Sequence, residues 1–136
     1  MSAAAAALRA AIHTALAADA ALTAMLGGAR IYDEPPRTAP FPFVTIGEGR
    51  VIDVSADDAP AQEHHLALHV WSRQGGHREA HQITGALLQA LDDAALPLDG
   101  HRLVNLRFAL ADIRREADGR TYHALVRFRA VTEPLT

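Results

Sequence analysis

The sequence predicts an α+β fold: two layers, with a four-stranded, mainly antiparallel sheet and helices packed on one face, in the order α-α-β-β-α-β-β. Three observations carry this. Apolar residues recur at helical spacing over 3–18 and 78–92. They alternate with polar residues over four stretches in the middle and second half of the chain. Gly, Pro and Asp-Gly turn signals separate these segments.

The elements follow in order. Leu8, Ile12 and Leu16 recur every four residues, which gives the first helix one apolar stripe. Asp19 can cap a second, short helix carrying Leu22, Met25 and Leu26, and Gly27-Gly28 ends it. "RIYDEPPRTAPFPF" follows, and its prolines predict an extended loop with no regular element. From Phe43 the period becomes two, and Gly47 and Gly49 mark a bulge or bend in that strand. After the acidic turn region "DVSADDAPAQ", the strand "EHHLALHVWSR" puts Leu66, Leu68 and Val70 on one face. His65, His69, Trp71 and Arg73 fall on the other. Gly75-Gly76 breaks that strand, and a helix over 78–92 buries Ala80, Ile83, Thr84, Leu87 and Leu91. The last two strands have Val104, Leu106, Phe108 and Leu110, then Tyr122, Ala124, Val126, Phe128 and Ala130, as their expected apolar faces. Asp118-Gly119 is the hairpin turn between them. Asn105, Arg107, His123, Arg127 and Arg129 occupy the opposite faces.

Length and composition narrow the function. A chain of 136 residues with no repeat or linker reads as one domain over 1–136, large enough to bury a core. The net charge of −3 gives no basic footprint of the kind a DNA-gripping protein carries. All 13 basic residues are Arg, and the chain has no Cys, which rules out disulfides, thiolate metal sites and cysteine nucleophiles. The alanine-rich start lacks a basic region ahead of its apolar run and is interrupted by Arg9, His13 and Asp19. It reads as a helix of a soluble, intracellularly made protein rather than as a signal peptide, and no membrane association is expected.

Histidine is the one residue type that suggests chemistry. His64, His65, His69, His77 and His81 lie within eighteen residues. His77 and His81 have the four-residue spacing of a helical zinc pair, but the metalloprotease pattern needs Glu directly after the first His, and Arg78 stands there. His65 and His69 share a strand face, yet at ~3.3 Å per residue they are roughly 13 Å apart, too far to chelate one ion unaided. The better reading is an amphipathic surface. A His-rich metal-binding module or small metal-dependent enzyme is the alternative. Ser2, Ser55 and Ser72 sit in no nucleophile context, the carboxylates cluster in turns, and no phosphate-binding loop is present. The expectation is therefore a non-enzyme with no catalytic residue, cofactor or metal. The polar strand face, with His65, His69, Trp71, Arg73, Arg107, His123, Arg127 and Arg129, reads either as a solvated face or as a protein interface, since Trp and Arg are enriched at hot spots.

Several segments in succession resemble one known family. "RIYD-x-x-P", "PFPFVTIGE", "HVWSR-x-GG", "LDGHRLVNLRF" and "GRTYHALVRFRA" stand in the order found in tail-completion, or tail-terminator, proteins of long-tailed phages, prophages and gene transfer agents. The likeness runs from Asp19 to Glu133. It implies a structural role in a virion tail or tail-like particle assembled in the bacterial cytoplasm. The subunit would form a ring, typically a hexamer, on the last ring of tail-tube protein, end tube growth, and offer a surface to the head connector. DNA would pass through the lumen without specific binding.

Simple geometry is compatible with this. A domain of this length has a diameter of roughly 35–40 Å, and six touching spheres enclose a hole as wide as one of them. Ring closure needs a heterologous contact, for which the sheet edges and the polar face are the candidates. Asp53, Asp57 and Asp58 are expected to face the channel and repel phosphate.

Overall fold

A computed structural model describes residues 3–135. The helices are α1 (Ala3–Ala17), α2 (Ala20–Leu26) and α3 (Arg78–Leu91). The strands are β1 (Ile31–Tyr32), β2 (Phe43–Asp53), β3 (Gln62–Ser72), β4 (His101–Arg115) and β5 (Tyr122–Pro134). The sheet is five-stranded and mixed, in the order β1-β2-β3-β5-β4, where a four-stranded, mainly antiparallel sheet was expected. The added strand is β1, two residues of the proline-rich loop that pair parallel with Val44 and Thr45 at the β2 edge. Its shortness explains why no alternation announces it.

Local rules account for the helices. The Asp19 side chain accepts from the Leu22 N–H, and Gly27 closes α2 in the left-handed conformation at φ 80°. Leu22 and Leu26 are buried, whereas Met25 is 43% exposed, so only the i, i+4 pair reaches the core. The α1 stripe is fully inside. It packs with Ile83, Leu87 and Leu91 of α3 over Leu66, Leu68 and Val70 of β3 and Ala124, Val126 and Phe128 of β5. No single helix among the described residues is long and apolar enough to cross a membrane.

The β3–β5 ladder is unbroken over eleven pairs, from Gln62↔Thr132 to Ser72↔Tyr122. The flanking strands are not regular. β2 shifts register between Ile46 and Gly49, at the glycine-flanked bulge expected there. β4 shifts twice, between Leu103 and Asn105 and between Phe108 and Leu110. These bulges overturn the expected apolar face of β4. Leu106 is buried and Leu103 is half-buried, while Val104 and Leu110 turn outward and Phe108 lies at the margin.

Polar groups carried by neighbouring segments close part of each sheet edge. The Arg9 guanidinium on α1 donates to the carbonyls of Gly47 (2.6 Å) and Ile46 (2.8 Å) on the outer side of β2, and it also meets Asp33. On β4, the Asp92 carboxylate accepts from the Phe108 N–H at 2.9 Å, and the Asp93 N–H donates to the Leu106 carbonyl at 2.8 Å. Such contacts blunt a strand that would otherwise offer free ladder groups.

The burial difference on α2 gives a direct test. Leu22→Ala should lower stability by about 2–5 kcal/mol through the cavity it leaves, and Met25→Ala should change it by only about 0.5 kcal/mol. Urea denaturation of the two variants checks this.

Candidate functional site

The face of the sheet opposite the helices carries the chemistry. β3 alternates strictly, and β5 follows it pair by pair, so His65 stands beside Arg129, Ala67 beside Arg127, and Trp71 beside His123. β4 then sets Arg107 beside Arg129. Arg73 follows Trp71 just past the end of β3, and its guanidinium lies 4.1 Å over the Phe41 ring. The structure thus brings together all eight residues expected on the polar face, although they do not behave alike.

The most ordered part is a hydrogen-bonded chain of two histidines between two carboxylates. His69 Nδ1 lies 2.6 Å from His123 Nε2. The outer nitrogens meet Glu48 Oε1 (His69 Nε2, 2.8 Å) and Glu116 Oε1 (His123 Nδ1, 2.8 Å). Facing carboxylates, both outer nitrogens must donate. Two neutral rings would then set lone pair against lone pair, and two doubly protonated rings would set N–H against N–H. One proton added to the neutral pair makes all three contacts hydrogen bonds. Burial lowers the pKa of His123, although its hydrogen bond to Glu116 pulls the other way. Glu48 in turn is held below the usual carboxylate range, chiefly by the His69 hydrogen bond, with Arg127 contributing.

An aromatic stack backs this chain. The Trp71 and His123 rings are parallel at 4.1 Å and 4°, His69 stacks on His123 at 4.9 Å, and Phe43 continues the stack to Trp71 at 6.4 Å. Phe41 and Tyr32 flank Phe43, and Trp71 Nε1 donates to Thr45 Oγ1 at 3.2 Å. Glu63 holds His65 at 3.0 Å and also pairs with Arg129. Arg107 leans to the edge and bonds Asp92 at 3.2 Å.

The remaining histidines go elsewhere. His64 points into the core side, 2% exposed, and bonds Thr132 Oγ1 at 2.9 Å. His77 sits edge-on to Tyr122 and His81 is exposed on α3. No group of three metal-ligating side chains converges among the described residues. Asp53, Asp57 and Asp58 lie at the exposed β2–β3 hairpin tip, where Asp53 accepts from the Ser55 N–H and hydroxyl and Asp57 has φ 28°.

Glu48, Glu116, Phe41 and Phe43 complete the site and were not singled out in the sequence. Cross-strand register recruits Glu48 and Phe43 from β2, while the turn after β4 and the loop before β2 supply the other two. Parity along one strand carries none of this. The clearest available signal is Gly47, where a Cβ would lie 2.6 Å from the His69 ring.

Two tests follow from this geometry. Gly47→Ala should displace His69, lower stability by about 1–3 kcal/mol, and shift the His69 and His123 ring resonances in NMR spectra. Folded His64 resists protonation, mainly through burial, and His123 does so as well. The unfolded chain takes up those protons near the ordinary value of 6.5. Stability is therefore full above that pH and falls as pH drops below it. His64→Asn should flatten the fall, read from urea midpoints on either side of that pH.

Comparison with known proteins places this arrangement. The chain is 27% identical over 102 residues to the tail completion protein gp17 of Bacillus phage SPP1, an alignment covering 74% of each chain. The solved structure of bacteriophage SPP1 gp17 shares the fold, with a TM-score of 0.64 at 23% identity, over 96% of this chain and 89% of that one. A chain in the virion of a native gene transfer agent particle matches with a TM-score of 0.90 and 32% identity, over 98% of this chain and 99% of its own length. The family model for tail completion protein gp17 matches residues 10–133, so this chain belongs to the tail completion protein gp17 family, a family of structural tail proteins.

Proposed function

We propose that this chain is a virion component that ends the tail tube. Copies of it form a ring, six in number, on the last ring of tail-tube protein, stop further tube growth, and present a surface to the head connector. The observation that carries this reading is the match, over nearly the full length of both chains, to a chain in the virion of a gene transfer agent particle. The polar sheet face fits such a role. It has the Trp and Arg composition of contact surfaces, and the stack and the Glu48–His69–His123–Glu116 chain fix its side chains before any partner arrives. The carboxylates at the β2–β3 tip, Asp53, Asp57 and Asp58, are assigned to the channel side, where like charge keeps DNA from adhering.

Electron microscopy of particles made without this protein tests the reading. Tails should be overlong or headless. Tails of normal length joined to heads would overturn it. In particles that carry the protein, symmetry analysis of the ring at the head-proximal end of the tail should give six copies.

A further inference from the structure

Among the described residues, each edge of the sheet has an open window away from the Arg9 and Asp92 caps. On β2, β1 covers Val44 and Thr45 and Arg9 occupies the carbonyls of Ile46 and Gly47, which leaves Glu48–Asp53 open. On β4, Asp92 and Asp93 occupy the Phe108 N–H and Leu106 carbonyl, which leaves 109–115 open. The outward groups in each window follow from ladder alternation. Val54 N–H donates inward to Ala61, so Asp53, Val51 and Gly49 turn their N–H and C=O groups outward. Glu116 N–H donates inward to Thr121, so Arg115, Ile113 and Ala111 do the same. Strands β2 and β4 run in opposite directions, because every pairing between them is antiparallel. With a ring axis running along the strands, rotation therefore brings β4 of one copy antiparallel to β2 of the next.

We propose that neighbouring copies join by adding the β4 window of one to the β2 window of the next, with Ala111 opposite Val51. The inference rests on the ring reading and names its contact. In this register Glu48 faces Arg114, Arg50 faces Asp112 and Ile52 faces Leu110 on the polar face, while Gly49 faces Ile113 on the other. Two opposite-charge pairs and one apolar pair stabilise the contact. A slip of two residues one way sets Arg50 against Arg114 and Ile52 against Asp112. The other way sets Glu48 against Asp112. A slip of one residue loses the outward hydrogen bonds. Among these neighbouring registers only the first satisfies both charge and ladder.

Packing supports the same alignment. Val51 and Leu110 are 39% and 43% exposed in the single chain, and this pairing covers both. Beside Gly49 lies a cavity of about 270 Å³ lined by Leu8, Val51 and Leu66. Ile113 of the adjoining copy, half-buried against its own core, lies opposite Gly49 on the same side of the sheet as this cavity. The edge caps do not obstruct the contact. Arg114 meets Glu48 and Arg115 falls opposite Gly47, whose carbonyl Arg9 already holds, so the added ladder ends there. Phe108 falls opposite Val54, so Asp92 lies beyond the Asp53 end. The contact is heterologous, as a closing ring requires.

The absence of Cys makes the test specific. Ile52→Cys and Leu110→Cys variants are produced together in particles that are then oxidised. A disulfide between positions 52 and 110 should link neighbouring copies, because Cα atoms of a non-hydrogen-bonded antiparallel pair lie about 4.5 Å apart with their side chains close. Either variant alone should give none. Arg50→Asp and Asp112→Arg should each cause loss of the ring and of joined particles, and the double exchange should restore both. Each purified variant should unfold at the same urea concentration as the parent, which separates assembly from folding. Rings and joined particles that form without the disulfide, or charge reversals without effect, would overturn the edge pairing and leave the ring reading standing. Normal joined tails in the protein's absence would overturn both.

Discussion

The unbroken ladder between β3 and β5 is the constraint on which the rest of the molecule depends. Its eleven pairs hold two faces in fixed parity. One face supplies Leu66, Leu68, Val70, Ala124, Val126 and Phe128 to the core, and the other supplies His69, Trp71 and His123 to the stack. A one-residue slip would exchange the two sets and put imidazoles under the helices. The flanking strands are free to bulge because this central pair does not. The bulge in β2 carries Glu48 to His69, and the bulges in β4 turn Val104 and Leu110 outward while Leu106 stays in the core.

The sequence read well wherever a periodic pattern and its punctuation agreed. The α1 stripe, the Asp19 cap, the Gly27 stop, the β3 parity and the Asp118-Gly119 turn all reflect local chemistry. What local patterns could not supply was long-range register. β1 is too short to alternate, and the outward turn of Leu110 depends on a bulge that only pairing with β5 creates. The paired histidines were visible only as residues on a common face. Their contact joins positions 54 apart in the chain, and the carboxylates at either end come from other segments.

Polar side chains organise this protein as much as apolar ones do. Arg9 crosses from α1 to the β2 bulge, and Asp92 crosses from the end of α3 to β4. Each satisfies backbone groups that an edge strand would leave open, and each marks where pairing stops. Arg9 with Asp33 and Asp92 with Arg107 are partly exposed ion pairs that add little stability of their own. Their effect lies in what they occupy. In this chain the central ladder is held by packing, while the edges are set by a few charged contacts.

Strand order has a consequence for biosynthesis. β5 follows β4 in the chain yet lies between β3 and β4 in the sheet, joining segments as far apart as Gln62 and Thr132. A chain emerging from the ribosome therefore displays two unpaired inner edges until its final strand inserts. Closing so distant a ladder is slow compared with helix formation. The newborn polypeptide passes through an adhesive interval, and only the finished chain presents edges already trimmed by Arg9 and Asp92.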